Sequence, residues 1–278
     1  MPGRTARIVL GVFFALFVLF LYGPTLTIMI LAFQGPDGGL TFPMNGVSLH
    51  WFENLFERQA VGDFGGSLQR SVLLGLMVMA ATVVISVAAG LAFRRRFRGA
   101  GVLFTLTVAS LITPSILVSL GIGLLFSLAG WDPDWYSSAF GAQLTWTLPF
   151  GLLIMFAVLN RFDKRWEEAA RDLGASPFQV FRHVVLPIIA PGVVGIALFG
   201  FTLSYDEFAR TLLTAGSSNT LPLEIFGMTT NITTPVLYAL GTLTTYLSAV
   251  VIVSALLGVH VLRKRRAAAV VGIGGGQR

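Results

Sequence analysis

Two clusters in this sequence have residue types and spacing suited to work on another molecule. The first is Tyr205-Asp206-Glu207, with Arg210 just beyond, at the end of a long apolar run. Two adjacent carboxylates can draw in a cation, and the Tyr205 ring can lie against the methylene chain of an amine. A plainer reading makes the acids interfacial charges partnered by Arg210 at i+3 or i+4. The second is segment 161–187, RFDKRWEEAARDLGASPFQVFRHVVLP. There Phe162, Trp166, Ala169, Ala170 and Leu173 can share one helical face. Gly174 suits a left-handed helix cap, and Ser176-Pro177 suits the start of the next helix. Small Ala169 and Ala170 would let another surface come close, and Glu168 could add a charged hydrogen bond to it.

A further aromatic, Trp51, stands in the amphipathic stretch 49–57, where packing explains it more readily than stacking on a substrate. The sequence holds no cysteine, so thiolate chemistry is excluded. His50, His183 and His260 are scattered, so no metal cluster is expected. Neither lysine, Lys164 or Lys264, follows a glycine, so there is no phosphate-cradling loop and no ATP hydrolysis by this chain. The apolar runs lack the polar set that an intramembrane enzyme needs. The expectation is a non-enzyme with no cofactor of its own.

The elements that hold these residues follow from charge. The chain has 278 residues, 55% hydrophobic and 12% charged. Soluble domains carry about 25% charged residues, so both a soluble enzyme and a disordered chain are excluded. The charge-free gaps are long enough for helices of about 20 apolar residues. They predict spans near 8–33, 71–93, 101–128, 141–160, 186–205 and 238–262. A long loop, 37–70, follows the first span. With the N-terminus inside, segments 1–7, 94–98, 161–182 and 263–278 hold 16 of the 19 lysines and arginines. That asymmetry places both termini in the cytoplasm. The net charge of +6 then records topology and does not indicate nucleic acid.

Segment 161–187 also carries a specific resemblance. Glu168-Ala169-Ala170, three residues, Gly174, nine residues, Val184, one residue and Leu186-Pro187 is similar to the EAA motif of ABC importer permeases. The single departure is Val184 where the motif has Ile. The resemblance implies an all-α membrane protein with six transmembrane helices and the type I importer permease fold. It implies one permease domain over 1–278 and a cytoplasmic coupling segment, 161–185. Three further stretches resemble the second permease subunit of spermidine/putrescine transporters. They are Leu49–Phe56, Thr113-Pro114, and Ser204–Phe208 with Thr220–Ile225.

What the resemblance implies is a role as one non-catalytic half of an ATP-driven import path, coupled to a separate ATPase. Glu168, Ala169, Ala170, Gly174, Leu186 and Pro187 would engage the ATPase. Tyr205, Asp206, Glu207 and Trp51 would border the substrate path. Partners would be a second permease, in a heterodimer, two ATP-binding subunits that bind ATP-Mg, an extracytoplasmic substrate-binding protein, and the lipid of a bacterial inner membrane. Polyamines are the expected cargo. Alternatives are iron, aminoethylphosphonate or a similar solute, and a secondary transporter, which would leave the motif spacing unexplained.

Overall fold

The computed structural model describes residues 3–56, 62–95, 97–231, 235–250, 253, 254, 257 and 258. Every regular element among them is helical. The helices are α1 (Arg4–Leu31), α2 (His50–Asn54), α3 (Phe64–Phe93), α4 (Ala100–Ile112), α5 (Ser115–Leu128) and α6 (Ser138–Leu159). They continue with α7 (Arg165–Asp172), α8 (Pro177–Val180), a π-helical turn (Phe181–Val185), α9 (Leu186–Tyr205), α10 (Leu221–Asn231) and α11 (Val236–Val250). Four stretches are long and apolar enough to cross a membrane among the described residues: α1, α3, α6 and the run Pro177–Tyr205. A fifth is added if α4 and α5 count together.

The third predicted span departs from expectation. It is two helices, bent by 107° between Ile112 and Ser115. At 1.5 Å per residue each half reaches only about 20 Å, short of the roughly 30 Å of hydrocarbon. Pro114 causes the break. It has no N–H to continue α4, and it drives Thr113 into the extended region, with ψ 126°. Where the sixth span is expected, α11 is an apolar helix of 15 residues up to Val250, and most of the remainder, 251–262, lies outside the described residues. α3 also begins earlier than predicted, at Phe64. Helix therefore takes the end of the stretch read as loop 37–70, of which 57–61 lies outside the described residues.

The chain forms two compact units, Met1–Gly65 with Ile225–Val251, and Gly66–Glu224 with Ile252–Arg278. In the first, α1 buries only Leu31, while Phe13, Phe14 and Phe20 are well exposed. Such a surface suits lipid. The segment after α1 folds back on itself. Gln34 bridges to Val47, Ser48 Oγ donates to the Gln34 carbonyl at 3.0 Å, and the Phe33 and Phe52 rings meet at 5.1 Å.

In the second unit, one core joins Met155, Leu159 and Phe162 to Val180, Val185, Ile189 and Ile196. It ties the end of α6 to α8, the π turn and α9. A second cluster sets Leu74 and Val78 of α3 against Ala139 of α6. Polar groups between these helices find each other, as where Thr82 and Thr147 hydroxyls meet at 2.8 Å.

Two helix ends in this unit behave as the sequence predicts. α7 closes with Gly174 at φ +83°. The Gly174 N–H donates to the Arg171 carbonyl at 2.8 Å and the Ala175 N–H to the Ala170 carbonyl at 3.1 Å. That pairing satisfies carbonyls the helix would leave open. Ser176 then caps α8 through a reciprocal pair with Gln179, and Pro177 follows as the first helical residue. A Cβ on Gly174 would meet nothing within 4 Å, so its only requirement is the positive φ. Gly174→Ala is therefore expected to cost about 1 kcal/mol, from backbone strain alone. Thermal unfolding of the purified chain should show that small loss, and Gly174→Asn should cost less.

Candidate functional site

The segment 161–185 is built from the end of α6 outward. Phe162 is buried against the core, and α7 starts two residues beyond Asp163, whose carboxylate accepts from the Arg165 N–H at 3.0 Å. The predicted shared face is divided. Phe162 and Ala170 turn inward, while Trp166, Ala169 and Leu173 turn outward, with Trp166 63% and Leu173 88% exposed. Phe178 on α8 is exposed as well. The reason is spacing. Residues 166, 169 and 173 follow i, i+3, i+7 and Ala170 lies about 100° round from Ala169, while Phe162 lies in the turn ahead of α7, outside its helical phase. Adjacent Ala169 and Ala170 thus have different surroundings, one open and one packed.

Glu168 is exposed, and Glu167 is the acid that holds the segment in place. Its carboxylate accepts from Arg94 at 2.5 Å, and Arg171 lies 3.7 Å from its other oxygen. The Arg94 guanidinium also stands 5.0 Å from the Phe162 ring centroid. Both partners of the Arg94–Glu167 pair are mostly shielded, so the pair is screened less than a surface bridge.

The π turn explains how α8 runs into α9. Pro187 has no N–H for a carbonyl one turn back, and the backbone widens just ahead of it. The Leu186 N–H donates to the Phe181 carbonyl, five residues back. The segment 186–205 is thus the later part of a longer helix. Pro177–Tyr205 is one helical run of 29 residues.

At the other end of that run, Tyr205 is 8% exposed and stacks on Phe201 at 5.9 Å. Asp206 ends the helix and is exposed, yet partial desolvation there raises its carboxyl above the ordinary value. Glu207 is half-buried, and its Oε1 accepts from the Arg210 backbone N–H at 2.8 Å. The Arg210 side chain goes elsewhere. It is 0% exposed, donates to Ser115 Oγ at 2.9 Å and the Ser110 carbonyl at 3.5 Å, and stands 4.6 Å from the Trp146 ring centroid. Among the described residues no carboxylate forms an ion pair with it.

A chain of buried polar groups fixes the same segment. Ser204 Oγ donates to Gln143 Oε1, Gln143 Nε2 donates to Thr211 Oγ1 at 3.1 Å, and Thr211 Oγ1 donates to the Glu207 carbonyl at 2.8 Å. The Leu213 N–H donates to Ser119 Oγ at 2.9 Å.

The structure thus brings Tyr205, Asp206 and Glu207 together at one helix end, and Glu168, Ala169, Ala170 and Gly174 together on one elbow, with Leu186 and Pro187 beyond the π turn. Trp51 belongs to the first unit, where its Nε1–H donates to the Gly35 carbonyl at 3.3 Å. Sequence reasoning missed Glu167, Gln143 and the burial of Arg210. Pro114 offered a signal for the last, because it leaves the Ser110 carbonyl without its helical donor.

These helices define an all-α, multi-pass membrane protein. Residues 81–266 match the family model described as the inner membrane component of binding-protein-dependent transport systems, and the chain belongs to that family. It is 30% identical over 235 residues to the spermidine/putrescine transport system permease protein PotC of Haemophilus influenzae, covering 84% of this chain and 90% of that protein. PotC of Escherichia coli K12 is 29% identical over 256 residues, 91% of this chain and 94% of that one. The putrescine transport system permease protein PotI of the same strain is 30% identical over 232 residues, 81% of each chain.

Among solved structures, a bacterial ABC transporter involved in import of the acidic polysaccharide alginate aligns with a TM-score of 0.68 at 15% identity, covering 94% of this chain and 98% of that one. The MetNI methionine ABC transporter aligns at 0.56 and 18% identity, covering 71% and 95%. These two likenesses bear on the fold alone. The chain is a permease subunit of an ABC importer and is not itself catalytic.

Arg210→Met should leave the Ser110 carbonyl and Ser115 hydroxyl without their donor and remove the cation from Trp146. The expected loss is about 2–4 kcal/mol, read as a lowered unfolding temperature in detergent. Arg210→Lys should recover only part of it, because one ammonium cannot reproduce the planar fork.

Proposed function

We propose that this chain is the permease of an importer that carries polyamines, and that segment 161–185 couples it to an ATPase. The observation that carries the coupling reading is the run Pro177–Tyr205, with the α7 elbow at one end and Asp206-Glu207 at the other. At 1.5 Å per residue it is about 43 Å long. A push on the elbow would reach the far membrane face through one helical rod. Trp166, Ala169, Leu173 and Phe178 offer the open apolar surface for docking, with Glu168 beside them. Gly174 sets the angle of the elbow, and Leu186 and Pro187 follow the π turn that joins it to the span.

On this reading the protein has six spans with both termini in the cytoplasm of a bacterial inner membrane. α4 and α5 together make the broken third span, and α11 with residues beyond it makes the sixth. The basic residues at 94–98 and 161–182 support that sidedness. A second permease completes the path as a heterodimer, and two separate ATP-binding subunits hold ATP-Mg. An outer binding protein delivers the cargo. When the ATPases close, the rod tilts and the path changes its access from one side to the other.

The polyamine reading rests on the similarity to PotC and PotI and on the charge at the end of the rod. The hydrogen bonds of the Arg210 guanidinium go inward, to Ser115 and Ser110, which leaves the exposed Asp206 carboxylate as the charge offered to a passing cation. Glu207 adds a second acid behind it. Tyr205 supports the acids from within.

In the assembled transporter, Glu168→Arg should abolish substrate-stimulated ATP hydrolysis while the complex still inserts in membranes. Normal stimulation would overturn the coupling role. The pair Asp206→Asn and Glu207→Gln should slow spermidine or putrescine uptake at least tenfold. Unchanged uptake by vesicles would remove these acids from the path.

A further inference from the structure

α7 has a second face. Lys164, Glu167 and Arg171 follow i, i+3, i+7 and lie opposite the open stripe of Trp166, Ala169 and Leu173. This face turns toward the end of α3 and lines a cavity of about 350 Å³ with Leu91, Arg94 and Arg95. Pro177, Val180, Phe181 and Val185 form its remaining wall. A second cavity, about 450 Å³, shares Arg94 and Lys164 and is otherwise bounded by Gly90, Phe93, Phe156, Leu159, Asn160 and Phe162.

The charges of this region do not balance. Arg94, Arg95, Lys164 and Arg171 line the two cavities, with Glu167 as their one carboxylate. Glu167 is already engaged by Arg94 and Arg171. Arg95 and Lys164 form no ion pair among the described residues. Three positive charges are therefore in excess around one small space. The walls are also divided by chemistry. The cations stand at the elbow, whereas Phe93, Phe156 and Leu159 continue the second cavity along the spans. A ligand that fits both halves has an anionic phosphate and an apolar body.

We propose that this pair of cavities binds the phosphate of an anionic phospholipid, with Arg95 and Lys164 holding the phosphate and the aromatic wall taking the glycerol and first methylenes. The location rests on the sidedness and coupling reading above, because a lipid phosphate reaches α7 only if the elbow lies at the cytoplasmic membrane surface. Clusters of basic side chains at that depth attract anionic headgroups by about fivefold per charge. A phosphate seated here would brace α7 from the side away from its open apolar stripe, so it could remain bound while that stripe is covered.

The test measures lipid retention and does not depend on the cargo. The purified full-length chain, in nanodiscs of mixed phosphatidylglycerol and phosphatidylcholine, is examined by native mass spectrometry after release. The unmodified chain should keep phosphatidylglycerol in preference to phosphatidylcholine. Arg95→Gln with Lys164→Gln should lower that preference by about tenfold or more. The charge-keeping pair Arg95→Lys with Lys164→Arg should retain it, which separates binding from folding. An equal preference in the unmodified chain and the glutamine pair overturns the proposal. Inorganic phosphate at millimolar concentration should not displace the lipid. Displacement of the lipid by phosphate would mean that the site takes free phosphate, and would overturn the lipid assignment. If polyamine uptake fails as a function while phosphatidylglycerol is retained through Arg95 and Lys164, only the cargo reading falls.

Discussion

A carbonyl oxygen inside a membrane protein must find a donor, because lipid supplies none. Pro114 removes the donor that the Ser110 carbonyl would have in a continuous helix. In the broken α4–α5 pair that need is met from elsewhere, by Arg210. The same guanidinium reaches Ser115 at the start of α5 and lies over Trp146 of α6. A buried cation is costly unless hydrogen-bonded. Here it is useful because it joins both sides of a helix break to a third helix. The segment that carries Arg210 also carries Asp206 and Glu207, so the position of the acids is a consequence of how the break is repaired.

The other end of the Pro177–Tyr205 run follows a different logic. α7 is short and polar and would not be stable alone. Its fixed geometry comes from Phe162 and Ala170 packed on the core, Glu167 tied to Arg94, and the Gly174–Ser176 joint. Each of these contacts lies on one side. They leave the opposite side apolar and open without loosening the helix. An element meant to transmit force needs this combination of a firm root and a free face.

Much of this was legible in the sequence because it depends on local rules. Gly174 at the left-handed cap, Ser176 and Pro177 at the next helix start, and the C-terminal ends of α3, α6 and α9 follow from neighbours in the chain. The motif around Glu168 was legible by its spacing. The errors arose where a distant partner decides. The stretch 101–128 read as one span, but Pro114 bends it by 107° and the Ser110 carbonyl left open there takes a donor from residue 210. Arg210 read as a companion of the acids three and four residues before it; Glu207 does accept from its backbone N–H, but its side chain donates to residues far back in the chain. Glu167 and Glu168 cannot be ranked by type. Only the position of Arg94 distinguishes them.

The π turn gives the length of the Gly174–Val184 interval a further meaning. An α-helix advances about 100° per residue, and a π turn inserts one residue without adding a full step of phase. The side chains of α9 therefore point in directions that an uninterrupted α-helix from Pro177 would not give them. Removing one residue from the π turn would therefore restore an α turn and leave the elbow at nearly the same angle on the rod, whereas removing one from α8, with the π turn kept, would turn the apolar stripe by about 100°. The nine residues between Gly174 and Val184 are thus an angular setting, in the way that the teeth of a coupling fix the phase of two shafts.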